Sequence, residues 1–343
     1  MKIAIVILNW NGKKFLEMFL PKVVETSRNI AGVYVADNGS TDDSLAFLEN
    51  NFPSVKIIRH AMNLGFAAGY NRALNQIDAD YYVLLNSDIE VTQHWIEPVI
   101  ELMESDAQIA ACQPKIRSYN NRHLFEYAGA AGGFIDRFGY PFCRGRIFQS
   151  IEEDHGQYDE VSEIFWASGA CLFIRATCFN QAGCLDDDFF AHMEEIDLCW
   201  RLKHLGYKIM YCGNSTVYHI GGGSLDKSSP RKTYLNIRNN STLLYKNLPK
   251  EQLIPVFLAR FFLDMMASVK FLVDGGFRHF IAVSRAHFGF YFSYKKNRIK
   301  RNKIRHKHVS QIYNGNIALD HFLKGKRKFS QLDKNRFLTG ESH

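Results

Sequence analysis

Over the first hundred residues the apolar positions switch between two spacings. Short β-branched runs at 2–8, 32–36, 55–60 and 81–85 have the make-up of strands buried on both faces. Between them, 13–27, 41–50, 66–77 and 92–105 repeat their apolar residues every three to four positions, as helices do. This alternation predicts an α/β fold: a doubly wound, mostly parallel sheet with right-handed crossovers, to which 108–116 returns. A later helix is expected from Glu194, with Leu198, Leu202 and Leu205 facing inward and Gly206 as its stop, followed by short strands at 209–211 and 216–218. Between 117 and 159, Gly129, Gly132, Gly133, Gly139 and Gly145 interrupt both spacings among aromatics and arginines. Long loops, short strands and a mobile, substrate-shaping segment are expected there.

Each predicted strand ends in polar residues, and ligands of open α/β sheets collect outside the carboxyl ends of the strands. Asn9 follows the first strand. Asp37 and Asn38 follow the second in VADNGSTDDS, where Ser40 or Thr41 is placed to cap the next helix. A carboxylate such as Asp37 suits a ribose hydroxyl or a base N–H, although Asp-Asn-Gly-Ser is also ordinary turn chemistry. After the third strand, Asn63, Gly65 and Arg72 open a helix whose first N–H groups could approach a nucleotide. The glycines there read G-x-x-x-G, which is not the dinucleotide fingerprint.

Asn86-Ser87-Asp88 ends the fourth strand. One carboxylate with a free edge suits Mg²⁺ or Mn²⁺ shared with substrate phosphates, and the alternative is a strand end or the cap of a helix near Thr92. Trp166 is either a sugar-stacking ring or a core residue. Glu194 and Glu195 fall in the first turn of their helix, where the helix dipole alone favours acids. His219 ends a strand just before a glycine run at 221–223, a better setting for a ligand than most lone histidines have.

The composition, 46% hydrophobic and 22% charged, is that of a globular protein. Its net charge of +7 is uneven, since residues 295–308 hold eight Lys or Arg and no acid. Seven scattered cysteines match no zinc spacing, and an odd number closes no disulfide framework, so a reduced, cytoplasmic setting is expected. The N-terminal apolar run is short and no small-residue cleavage site follows it, against a signal peptide. Arg260, Asp264 and Lys270 interrupt the apolar stretch 253–273, which would make a poor membrane span.

Taken together, VILNWNG, VADNGSTDDS, NLGFAAGYNRAL, LLNSDIEV, WASGACLFIR, MEEIDLCWRL and YHIGGGS resemble the inverting glycosyltransferases of family 2, which have the GT-A fold, and most closely their bacterial rhamnosyltransferase-like branch. The resemblance covers roughly residues 1–245, including the Arg238-Asn239 pair. It implies a nucleotide-sugar-binding half at 1–116 and an acceptor and catalytic half at 117–245. Asp37 would hold the nucleoside, with the Asn9 and Asn63 regions helping. Asn86-Ser87-Asp88 stands where the family has D-x-D, leaving Asp88 as the metal ligand, with His219 completing metal or diphosphate binding. Glu195 falls at the catalytic-base position, which is usually Asp, and Glu194 competes for that role. The implied substrate is a nucleoside-diphosphate sugar, with rhamnose from a dTDP donor as the expected case, passed to a surface polysaccharide or lipid-linked glycan. Processive members have membrane spans and a Q-x-x-R-W motif; neither is seen, so addition of one sugar is expected.

Beyond the resemblance, residues 246–343 are expected to form a helical, basic extension. Its apolar helices and basic run, 253–308, suit an anionic inner-leaflet surface, although the same helices could pack on the catalytic domain. No nucleic-acid partner is expected. Two other functions compete. A nucleotidyltransferase would share the sheet and the acidic metal site but should carry a glycine-rich loop with a basic residue after Leu8. A non-enzymatic anionic-surface binder would leave the ordered acids and His219 without a role.

Overall fold

A computed structural model describes residues 1–221 and 229–339. The main sheet takes β1 (Ile3–Asn9), β2 (Gly32–Asp37), β3 (Lys56–Arg59), β4 (Tyr81–Asn86), β5 (Ile89–Val91), β6 (Ile109–Ser118), β11 (Ser162–Ile164), β12 (Cys171–Arg175) and β13 (Lys208–His219) in the order β11-β13-β6-β12-β4-β1-β2-β3, with β5 on β13. The first four strands are parallel, whereas β12 runs antiparallel between β4 and β6. Helices α1 (Lys13–Ser27), α2 (Ser44–Asn51), α3 (Gly65–Leu74), α4 (Glu97–Ser105), α5 (Ala176–Gln181) and α6 (Glu194–His204) complete this part, and two hydrophobic cores form around the sheet. The α/β architecture expected from the apolar spacing is present. All seven cysteines are free thiols.

Several local expectations shift. Helix α2 begins at Ser44, not at a Ser40 or Thr41 cap, because the Ser40 hydroxyl instead accepts from the Asn9 amide and the Asn11 N–H. The helix expected from 92 begins only at Glu97, after β5 and the turn that follows it. The two strands foreseen near 209 and 216 are one long strand, β13, whose register against β6 slips between Cys212 and Thr216. Leu198 and Leu202 are buried as expected, but Leu205 is exposed.

Residues 117–159, expected as long loops and short strands, do form short strands, which supply most of a second sheet: β7 (Gly133–Asp136), β8 (Pro141–Cys143), β9 (Arg146–Ile147) and β10 (Ser150–Ile151). Gly133 allows this sheet to close onto the core, since a Cβ there would sit 2.1 Å from the Trp166 ring. The chain then forms α7 (Pro230–Asn247), α8 (Lys250–Val273), α9 (Phe277–Phe292) and α10 (Tyr294–Arg301). It returns as β14 (Ile312–Tyr313), pairing parallel with β7, and ends in α11 (Ile317–Phe322) and two short 3-10 turns. The C-terminal part is therefore not only helical. Among the described residues no helix is long and apolar enough to cross a membrane.

Candidate active site

A cleft of about 350 Å³ opens at the carboxyl ends of β1 and β4. Its volume lies in the usual range for small-molecule sites. β4 ends at Asn86, and the turn into β5 carries Asp88. Because β5 pairs antiparallel with β13, Ile89 lies opposite His219, and this register sets the imidazole against the Asp88 carboxylate. His219 Nε2 is 3.1 Å from Asp88 Oδ1, and on the far side of the ring Nδ1 is 3.3 Å from Glu126 Oε2. All three are buried, at 4%, 6% and 6% exposure. Burial works to lower the His219 pKa, but Glu126 and Asp88 outweigh it and raise it to about 10. Burial works to raise the pKa of each carboxylate, and the imidazolium outweighs it and holds both below their usual range.

If the imidazolium gave up its proton, the same two donors could hold a divalent cation between them. Ligands at right angles around an octahedral ion, each about 2.1 Å from it, lie about 3.0 Å apart. The 3.1 Å between Asp88 and His219 matches that spacing. Glu126 behind the imidazole is the kind of carboxylate partner that metal-bound histidines usually have. Among the described residues no group of three or more His, Cys, Asp or Glu could hold a metal. A cation here would thus draw its other ligands from donor phosphates and water.

Glu194 and Glu195 open α6 and line the same cleft. Each has one buried carboxylate oxygen with no partner, Oε2. Burial raises the Glu195 pKa to about 7, opposed by the N–H groups of Glu195 and Ile196 at the helix start. Burial, and then the neighbouring Glu195, push Glu194 well above the carboxylate range. The loop that delivers these acids is strained, with Phe190, His192 and Met193 all at positive φ. The Arg238-Asn239 pair holds it: the Asn239 amide donates to the carbonyls of Phe189, Ala191 and His192, and Arg238 donates to Phe189. Gly65 meets the loop from the other side. Its φ is +79°, and a Cβ there would sit 2.6 Å from the Phe190 carbonyl oxygen, so only glycine fits.

The remaining expected residues divide. Asn38, Asn63, Gly65, Asn86 and Ser87 line the cleft. Asn38 donates to Asn63 Oδ1 and to the Gly65 carbonyl, which sets the shape of the loop into α3. Asn9 and Asp37 do not line it. Both are buried, and the Asp37 carboxylate accepts from the Asn9 amide and the Ser40 N–H, so it serves the turn that follows β2. Arg72 lies at a separate, smaller groove beside Phe179 and Cys184. Trp166 is 3% exposed and donates its indole N–H to the Phe134 carbonyl, so it is a core residue and stacks on no sugar here. The glycines at 222 and 223 beyond His219 lie outside the described residues.

Sequence reasoning passed over Glu126, His192 and Arg231. Glu126 carried a signal, being the single acid between Asp106 and Asp136, set among Phe125, Tyr127 and Ala128. His192 and Arg231 line the cleft, with the Arg231 guanidinium 4.8 Å over the Phe190 ring. Nothing local in the sequence marks either one.

Residues 4–158 match the family model described as glycosyl transferase family 2. Over 261 residues the chain is 25% identical to the N-acetylglucosaminyl-diphospho-decaprenol L-rhamnosyltransferase of Mycobacterium tuberculosis (strain ATCC 25618 / H37Rv), in an alignment covering 71% of this chain and 83% of that protein. Two solved structures share the fold. GalNAc-T7 with UDP, GalNAc and Mn²⁺ aligns at a TM-score of 0.58 and 16% identity, over 73% of this chain and 48% of that one. The mannosyltransferase PcManGT from Pyrobaculum calidifontis, in complex with GDP-Man and Mn²⁺, aligns at 0.53 and 12% identity, over 88% and 83%. The fold is GT-A.

Proposed function

We propose, from the match of residues 4–158 to the family model described as glycosyl transferase family 2, that the chain transfers a single sugar, rhamnose from a dTDP donor, to a lipid-linked glycan with inversion at the anomeric carbon. The observation that carries this reading is one cleft holding both the Asp88–His219 pair and an acid, Glu195, with a pKa of about 7 and a free carboxylate oxygen. The relative named as an N-acetylglucosaminyl-diphospho-decaprenol L-rhamnosyltransferase supports rhamnose and a lipid-diphosphate acceptor.

In this mechanism Asn38 and Asn63 line the nucleoside end of the cleft. Asp88 and a neutral His219 would hold the Mg²⁺ or Mn²⁺ that accompanies the donor, with Glu126 fixing the imidazole. When bound, that cation supplies charge neutralisation to the departing diphosphate. Glu195 Oε2 accepts the proton of the acceptor hydroxyl as its oxygen bonds to the anomeric carbon. The bond from that carbon to the diphosphate oxygen breaks on the opposite face, and one such displacement inverts the centre. Arg231, in the first turn of α7, adds a cation on the diphosphate side. The reading keeps the cytoplasmic location expected from the thiol count.

The test incubates the protein with Mn²⁺ or Mg²⁺ and a panel of nucleotide sugars, following released nucleoside diphosphate for wild type, Asp88→Ala and Glu195→Gln. Release from dTDP-rhamnose by wild type, lost in both variants with donor binding retained in Glu195→Gln, is expected. Turnover of a different donor would overturn the sugar. In a parallel incubation with a nucleoside triphosphate and a sugar 1-phosphate, release of pyrophosphate with formation of the nucleotide sugar would make the protein a nucleotidyltransferase instead.

A further inference from the structure

Helix α8 is built inside out. The positions it buries, Val256, Arg260, Asp264 and Ser268, recur every four residues, and all but the first are polar or charged. Arg260 lies 3.0 Å from Asp264 and 4.1 Å over the Tyr140 ring, and Asp264 is 3.5 Å from His287 of α9. Its outward face carries Ile254, Leu258, Phe262, Met266, Val269 and Val273, all exposed. A surface helix in water shows the opposite arrangement. Helix α9 extends the face: Ala282, Val283 and Ala286 turn inward, while Phe277, Phe288 and Phe292 are 59%, 63% and 88% exposed. A contiguous apolar face of this kind marks a surface that meets something other than water.

Its charge selects the occupant. Between residues 250 and 303 the chain has eleven Lys or Arg and three acids. Of those acids, Asp264 is buried against Arg260 and Asp274 is paired with Lys270. Lys250, Arg278, Arg285, Lys295 and Arg298 are exposed. A second copy of the chain would bring these like charges together, at a cost, whereas an anionic lipid surface would pair them. No described helix can span a bilayer. We propose that the α8–α9 hairpin lies in the plane of an anionic lipid leaflet, with its outer apolar face among the acyl chains and its cations on the headgroup phosphates.

The hairpin is tied to the cleft. The His279 ring of α9 is 2.8 Å from the Thr233 hydroxyl of α7, and the Tyr234 hydroxyl is so close to Gly289 that a Cβ there would sit 2.7 Å away. Arg231, in the same first turn of α7, lines the cleft. Seating the hairpin therefore brings the cleft to the membrane surface where a lipid-linked acceptor is held, a consequence that rests on the function proposed above.

The experiment floats the full chain with vesicles of phosphatidylcholine alone and of phosphatidylcholine with about 30% phosphatidylglycerol, at low and high salt, alongside the double variant Phe262→Asp/Phe288→Asp. Both side chains are exposed, so the variant should fold, and an unchanged rate of donor hydrolysis is the check. Wild type should float with the anionic vesicles, more weakly in high salt, and the variant should partition at least about tenfold less. Wild type that stays unbound, a variant that binds as well as wild type, or a dimer in analytical ultracentrifugation that the variant converts to monomer would each overturn the proposal, the last by assigning the face to a second copy. Donor turnover without vesicle binding would sink this inference alone, and vesicle binding without any donor turnover would sink the function instead.

Discussion

Glu195→Gln removes the proposed proton acceptor while keeping the shape of the side chain. Burial raises the Glu195 pKa to about 7 from an ordinary 4.5. A group titrating there is about a tenth ionised at pH 6 and about nine-tenths at pH 8, so the wild-type rate should climb about tenfold across that window and then level off. The variant should be slower by about 10²–10⁴-fold, with no rise over the same window.

Stability should move the other way. The folded-state pKa lies above the unfolded one, so the protonated carboxyl's full contribution is present below pH 4.5 and is lost as pH rises through about 7. That shift corresponds to about 3 kcal/mol at pH 8, less whatever water in the cleft returns to the charge. Gln stays neutral and escapes this cost. The variant should therefore unfold a few degrees higher than wild type at pH 8 and equally at pH 4.5. Nucleoside-diphosphate release and thermal unfolding, each read from pH 5 to pH 9, check both arms. A variant that keeps more than about a tenth of the wild-type rate, or a wild-type profile flat between pH 6 and pH 8, refutes the assignment; an inactive Glu194→Gln beside an active Glu195→Gln would move the base by one residue.

Asp88→Asn keeps the size of the side chain but weakens the cation ligand, so turnover should fall at least about a hundredfold and half-saturation in a Mn²⁺ titration should move up about tenfold or more. Trp166→Phe leaves the buried Phe134 carbonyl without its donor; denaturant unfolding should show a loss of about 1–3 kcal/mol while the donor KM stays within about twofold, whereas a sugar-stacking role would raise KM. Lys246→Met strips the ammonium shared by Asp186 and Asp197, at 2.6 and 2.8 Å, and should cost about 3–5 kcal/mol in a urea midpoint measurement at neutral pH.

The alternation of strand and helix was legible because it is local: α1 spans 13–27, as its apolar spacing predicts. So was the collection of polar residues at strand ends, since a parallel sheet puts those ends on one edge. What the sequence left open or obscured depended on partners distant in sequence. Asp37 sits at a strand end like Asp88, yet its oxygens are taken up by Asn9 and Ser40. The place of Trp166 is set by Gly133 and Phe134, and its sequence neighbourhood carries no trace of them. Glu126 reaches His219 across more than ninety residues. β13 looked like two strands because the slip after Cys212 breaks the alternation that marks a strand. For α8, spacing revealed an amphipathic helix, but only packing revealed that its polar side faces the protein.

The acids between 186 and 197 show how packing separates residues that a sequence presents as alike. There are six: Asp186, Asp187, Asp188, Glu194, Glu195 and Asp197. Lys246 and Lys300 pair with Asp186, Lys296 and Lys300 with Asp188, and Lys246 and Arg201 with Asp197, while Asp187 accepts from the Asn71 amide. Only Glu194 and Glu195 keep an unpartnered oxygen and a raised pKa, the condition a general base near neutral pH requires. Two of the pairing cations, Lys296 and Lys300, belong to the basic run that in sequence looked wholly available to an anionic surface. That run thus divides its charges: part clamps α10 onto the turn leading to the loop that carries Glu194 and Glu195, and Lys295, Arg298, Lys303 and Arg305 remain exposed. Neutralising the clamp should therefore damage turnover and stability together, whereas neutralising the exposed set should change vesicle binding and leave turnover intact.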